Sequence, residues 1–276
     1  MLKIGIMDSG AGGLTILNAI RHKIPGLDLL YLADEEFAPY GEKTAEDIQQ
    51  RIIKIAQFFS VQQVKAIVVA CNTATVCAID QLRAVTTIPV IGVEPAVKPA
   101  FRMSKKRNVA VLATPLTAAS PRLGELITLW REDSRVQIMS SASLAYAIDG
   151  WPDSKSQVEA TVNILCDEMI RSEVDTLVLA CTHYPLVKDL FAAALGTQCD
   201  IIEPSEGVTA QLIRRLEQAY PELSLALLAS AKGSIEIVSS QGLGSMSRFM
   251  GWVEDDAAVL APKSIVLTDF DKALGA

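Results

Sequence analysis

Several resources of common chemistry are scarce in this chain. Only two histidines, His22 and His183, occur in 276 residues, which leaves no histidine set for a metal site. The five cysteines (Cys71, Cys77, Cys166, Cys181 and Cys199) are odd in number and form no CxxC pair. They read as free thiols of a reducing compartment and not as a disulfide framework. Clustered basic charge is confined to Lys105-Lys106-Arg107, the pattern of a solvated loop. With a net charge of −7 and a pI near 5.0, nucleic acid and anionic membrane surfaces are not expected partners. No apolar run approaches the roughly 20 residues that cross a bilayer. The segment from Met1 to Asp8 is interrupted too soon for a signal peptide, so a cytoplasmic location is predicted.

Cofactor signatures are missing as well. Gly10, Gly12 and Gly13 follow the first strand-like run, where a turn can bring N–H groups to an anion. Their spacing matches neither a dinucleotide fold nor a phosphate loop. No lysine stands at a strand end where it could carry pyridoxal. The expected cofactor is none, and the expected metal is none.

What is abundant is apolar sequence, at 50% of residues against 21% charged. A chain of this size and composition buries a large core, and two domains are the default. Strand-like runs alternate with helix-like ones, the signature of α/β architecture with mainly parallel sheets. The predicted strands are 3–7, 28–32, 66–70, 90–93, 109–112, 136–139, 176–180, 201–202 and 235–238. Amphipathic helices are predicted over 44–60 and 155–172, and a helix is expected to start near Leu14.

The chain also repeats itself. Val64 to Thr73 and Val174 to His183 each read as a buried strand ending in a cysteine, 110 residues apart. Lys3 to Ser9 matches Asn108 to Thr114 at an offset of 105, and Glu94-Pro95 matches Glu203-Pro204 at 109. Three landmarks in one order at a near-constant offset indicate duplication of a strand-helix unit. The predicted fold is therefore two pseudo-symmetric, doubly wound α/β domains, a discontinuous first one over 1–97 plus 208–276 and a second over 98–207. The active site is expected in the cleft between them. Residues 224–276 carry no readable chemistry.

Ligands of open α/β sheets bind beyond the carboxyl ends of the strands, where Cys71 and Cys181 are predicted. Two thiols on opposite sides of one small molecule suit removal of a Cα proton from one face and protonation at the other. Asp8 and His183 are placed to assist a thiol or bind a substrate ammonium, although Asp8 could instead cap the following helix. Cys77, Cys166 and Cys199 lack this context and read as buried packing residues. An amino-acid-binding protein without turnover, or a redox protein using Cys71 and Cys181, are the alternatives from other classes.

Asp8-Ser9-Gly10, Gly12-Gly13-Leu14-Thr15, Pro39-Tyr40-Gly41, Cys71-Asn72-Thr73-Ala74, Pro89 to Pro95 and Cys181-Thr182-His183-Tyr184-Pro185-Leu186 together resemble the cofactor-independent aspartate/glutamate racemase superfamily, and within it the glutamate racemases. The resemblance implies Cys71 and Cys181 as catalytic acid/bases assisted by Asp8 and His183. It implies a glutamate site made by Asp8, Ser9, Tyr40, Gly41, Asn72, Thr73, Thr182 and His183, a supply of D-glutamate to peptidoglycan synthesis, and a homodimer. Aspartate or another acidic amino acid is the alternative substrate. One departure stands out: the family carries Cys-Pro before an auxiliary glutamate, where this chain reads Ser141 to Asp149. Asp149 is the candidate to fill that role.

Overall fold

A computed structural model of the chain describes residues 2–223, 228, 230–244 and 246–267. The chain divides into two compact units, Met1–Val93 with Ser205–Ala276, and Glu94–Pro204. Both crossings fall at the repeated Glu-Pro pair, Glu94-Pro95 and Glu203-Pro204. Residues 1, 224–227, 229, 245 and 268–276 of the predicted first domain lie outside the described residues.

The first unit is built on a six-stranded sheet of β1 (Lys3–Asp8), β2 (Asp28–Ala33), β3 (Ala66–Val69), β4 (Val90–Gly92), β9 (Ile235–Ser239) and β10 (Lys263–Ser264). Their spatial order is β10-β9-β2-β1-β3-β4, and every described pair is parallel. β1 and β3 are buried along nearly their whole length, which explains their unbroken apolar runs: helices cover both faces. Because crossovers between parallel strands are right-handed as a rule, the strand order puts α1 (Leu14–Lys23) on one face and α2 (Ala45–Val61) and α3 (Asn72–Val85) on the other. Accordingly α2 packs on α3, while α1 packs on α10 (Ser205–Ala219). Gly5 makes one of these approaches possible, since a Cβ there would sit 2.8 Å from the buried ring of Phe59 on α2.

The second unit repeats the plan on a four-stranded parallel sheet ordered β6-β5-β7-β8. Its strands are β5 (Asn108–Ala113), β6 (Arg135–Ser140), β7 (Thr176–Ala180) and β8 (Asp200–Ile202). This order is that of β2-β1-β3-β4, strand for strand. The helices repeat too: α4 (Val97–Met103) packs on α6 (Pro121–Trp130), which follows the one-turn α5 (Pro115–Ala118), and α8 (Lys155–Arg171) packs on α9 (Lys188–Leu195) and on the short α7 (Leu144–Asp149). The buried cluster between the α4/α6 layer and the sheet includes Phe101, Val109, Val111, Leu123, Ile127 and Val178.

Each of the nine predicted strands is present. β10 is not among them, and with two exposed residues at a sheet edge it offers no hydrophobic pattern to read. β9, far along the chain, joins the first sheet beside β2. Local signals set the helix starts: Thr44 caps α2 by accepting the Asp47 N–H at 3.1 Å, and Ser120 caps α6 ahead of Pro121.

Candidate active site

In each unit the chain runs outward from a central strand to one neighbour, then crosses back to the other side. This creates a topological switch point between β1 and β3, and again between β5 and β7, the place where α/β sheets bind ligands. Cys71 lies just past β3 and Cys181 just past β7. The two thiols thus occupy equivalent positions in two copies of one topology.

On the first unit, Asp8 ends β1 and is fully buried. Its Oδ1 accepts the Gly10 N–H at 2.9 Å, and the Gly10 carbonyl accepts the Tyr31 hydroxyl at 2.6 Å. The residue at the N-cap of α1 is Gly13, so Asp8 organises the turn ahead of that helix instead of capping it. A Cβ on Gly13 would lie 2.8 Å from the Asp8 Cβ and 3.0 Å from that of Ala70; only glycine lets the turn close on the strand ends.

Cys71 is the N-cap residue of α3, whose first residues are Asn72 and Thr73. It is 5% exposed, and its Sγ lies 3.9 Å from the Ser9 hydroxyl, to which it donates. The start of α3 aims backbone N–H groups at this point and favours negative charge there. Both polar atoms of the Asn72 side chain are buried without a hydrogen-bond partner among the described residues. An unpaired buried amide costs about 1–3 kcal/mol, so Asn72 is poised for a polar ligand.

Tyr40 and Gly41 sit in a short 3-10 turn after Pro39. The buried Tyr40 hydroxyl donates to Asp34 Oδ2 at 2.6 Å. Burial, then the Asp34 carboxylate, and then the neighbouring Cys71 thiol push its ionisation well above that of ordinary tyrosine.

On the second unit, Cys181, Thr182 and His183 follow β7, all but sealed from solvent. The Cys181 Sγ stands 3.9 Å from His183 Nδ1, and His183 Nε2 is 3.0 Å from Asp149 Oδ1 at the end of α7. The carboxylate holds a proton on Nε2 and turns Nδ1 toward the thiol. Behind them the buried Tyr184 hydroxyl donates to the Ala113 carbonyl at 3.3 Å. Burial and then the Cys181 thiol raise the Tyr184 ionisation far above its usual range.

The structure therefore gathers Asp8, Ser9, Cys71, Asn72 and Thr73 at one switch point, and Cys181, Thr182, His183 and Asp149 at the other. Sequence reasoning missed Asp34 and Arg51. Asp34 follows β2 as Asp8 ends β1, a strand-end carboxylate that could have been noticed; Arg51 sits on α2 with no motif to mark it. The other cysteines differ in character. Burial pushes Cys166 up to about 11 and Cys199 up to about 12, and raises Cys77, so these thiols stay protonated at neutral pH. No cluster of three or more His, Cys, Asp or Glu side chains able to hold a metal occurs among the described residues. No helix among them is long and apolar enough to cross a membrane.

Comparison with known proteins agrees with this geometry. The family model described as Asp/Glu/Hydantoin racemase matches residues 4–212. The glutamate racemase of Methylococcus capsulatus is 41% identical over 221 residues, covering 78% of this chain and 79% of its own. That of Pseudomonas aeruginosa is 38% identical over 232 residues, covering 84% and 85%. Among solved structures, a glutamate racemase from Bacillus anthracis aligns with a TM-score of 0.80 at 27% identity, covering 96% of this chain and 97% of that one. One from Francisella tularensis, in complex with D-glutamate, aligns with a TM-score of 0.79 at 26% identity, covering 97% and 98%. With its doubled parallel sheets and a cysteine at each switch point, the chain is a racemase and belongs to the Asp/Glu/Hydantoin racemase family.

Proposed function

We propose that this racemase interconverts L- and D-glutamate by a two-base proton transfer at the α-carbon, with Cys71 and Cys181 as the acid/base pair. The observation that carries the reading is the equivalence of the two thiols, each just past the third strand of a four-strand repeat. Glutamate as substrate is supported by relatives such as the Pseudomonas aeruginosa enzyme and by the D-glutamate complex of the Francisella tularensis one.

In one direction the thiolate of Cys71 takes the Cα proton while the thiol of Cys181 delivers its own to the opposite face. Cys71 is then the thiol and Cys181 the thiolate, ready for the reverse reaction. The start of α3 stabilises negative charge at Cys71, and His183, held by Asp149, serves Cys181. Asp8 assists at the first thiol. Ser9, Tyr40, Gly41, Asn72, Thr73 and Thr182 hold the substrate, with the unpaired Asn72 amide as a ready partner for a carboxylate. Donors fixed in a water-poor site offset the charge of the carbanion. The product fits a role in supplying D-glutamate for peptidoglycan, and with it cell-wall biogenesis and cell shape. The enzyme is proposed to act in the cytoplasm, as a homodimer and without a cofactor.

The test is incubation with D-glutamate in deuterated water without added cofactor, following optical rotation and deuterium at Cα. Loss of rotation with deuterium uptake is expected, and C71S and C181S should each abolish it. Turnover of D-aspartate alone would change the substrate, and inertness toward both would refute the reading.

A further inference from the structure

The carboxylate of Asp34 is fully buried and bound from three separate stretches of the chain. Arg51 on α2 forks onto both its oxygens, Nε to Oδ2 at 2.8 Å and Nη2 to Oδ1 at 2.6 Å. The Ser240 hydroxyl, just past β9, donates to Oδ1 at 2.8 Å, and the Tyr40 hydroxyl donates to Oδ2 at 2.6 Å. Its own backbone N–H donates to the Asp8 carbonyl at 2.8 Å. Ser240 Oγ further accepts the Glu36 N–H at 3.1 Å, while Ser239 donates to Glu35 at 2.6 Å. Ser239 and Ser240 lie beyond residue 212, where the family match ends.

We propose that Asp34 is a positioning residue, held by Arg51 and Ser240, that fixes the Tyr40 hydroxyl and with it the Tyr40-Gly41 turn in the geometry the substrate requires. The proposal rests on the reading of Tyr40 as a substrate-binding residue. A buried ion pair adds little stability over apolar packing of the same volume, so stability alone gives a weak reason for four donors converging on one carboxylate. What the arrangement does supply is orientation. Tyr40 has a single hydroxyl proton, which it donates to Asp34, so the phenolic oxygen can only accept from any other neighbour. A tyrosine locked as an acceptor suits a donor such as a substrate ammonium. A misplacement of such a group by about 1 Å costs catalytic efficiency well before it costs folding.

D34N, S240A, S240T and Y40F test this, each measured for kcat and KM with D-glutamate and for thermal melting. The expectation is a roughly tenfold or greater loss of kcat/KM in D34N, carried mainly by KM. S240A should lose about threefold, which S240T restores. Y40F placed on the D34N background should cost less than Y40F costs alone, because the two changes share the Tyr40–Asp34 contact. A D34N enzyme within twofold of wild type, or losses that multiply in D34N/Y40F, would overturn the proposal, as would melting below the assay temperature that accounts for the whole loss. The Tyr40 ring carbon bearing oxygen, followed by carbon-13 NMR, gives a readout free of turnover. It should shift in both D34N and S240A, and an unmoved resonance would overturn the proposal even if wild type fails to racemise glutamate, an outcome that would by itself sink only the proposed substrate.

Discussion

Replacing Asp149 by Asn probes how much of the chemistry proposed for Cys181 depends on the imidazole behind it. The carboxylate sits 3.0 Å from His183 Nε2, and the His183 side chain is only 4% exposed against 25% for Asp149. A hydrogen bond to a charged partner contributes about 1.5–3 kcal/mol and a neutral one about 1 kcal/mol. Asparagine can still accept the Nε2 proton, so D149N forfeits only the difference between a carboxylate and a neutral acceptor. Water at the partly exposed Asp149 screens the charge, which places the loss near the low end, at about 1 kcal/mol. That corresponds to a fall of about fivefold in turnover. His183→Ala removes the proton partner altogether and should cost about a hundredfold or more. The assay is initial rates from each enantiomer by circular dichroism. Enantiomers have equal free energy, so kcat/KM must fall by the same factor in both directions, whereas kcat and KM can divide that loss differently. D149N on the H183A background should add nothing further. A D149N enzyme within twofold of wild type, or an undiminished D149N effect when His183 is absent, would refute the view that Asp149 works through His183.

The remaining expectations concern stability and reactivity. Asp175 accepts the Ser104 hydroxyl and the Lys106 N–H, both at 2.6 Å; burial opposes its ionisation, but these and neighbouring N–H donors outweigh that and hold its carboxyl below 3.8. D175N should therefore lower stability by about 1–3 kcal/mol at neutral pH in urea unfolding. Because the folded value is the lower one, this deficit should persist down to the ordinary aspartate range and close as pH falls through the folded value; a deficit that widens in acid would contradict the assignment. Gly13→Ala forces a methyl against Asp8 and Ala70 and should cost about 1–3 kcal/mol along with most activity, so full activity would show that the turn gives way easily. Cys166 and Cys199, pushed up to about 11 and about 12, should escape iodoacetamide at pH about 8 in the folded protein, and peptide mapping that finds either one modified first would be contrary.

The pattern of what the sequence discloses has a physical cause. Central strands of a parallel sheet are buried on both faces, so β1, β3, β5 and β7 announce themselves as apolar runs, and a duplicated order announces itself as a repeat. Cys71 and Cys181 are legible because strand ends are fixed points of that topology. Asp149 was located only by what stands near it in a family pattern, and its bond to His183 depends on where α7 ends, which no periodicity dictates.

The Asp34 cluster was silent for a different reason. Its members lie at positions 34, 40, 51 and 240, and Ser240 joins the others only because β9 pairs with β2 and carries it past the end of the sheet. Local propensity encodes elements, and hydrophobic period encodes layers, but a polar contact between residues 206 apart is set by the register of strands that are not sequence neighbours. In this unit the register Ala33↔Ser239 aligns the residue before Asp34 with the residue before Ser240. A shift of one residue in that pairing would turn every β9 side chain to the other face and carry Ser240 away from the carboxylate. The segment beyond the family match, which carries no motif of its own, thus reaches the Asp34 carboxylate through strand register, and under the role proposed for Asp34 the setting of Tyr40 depends on how β9 docks.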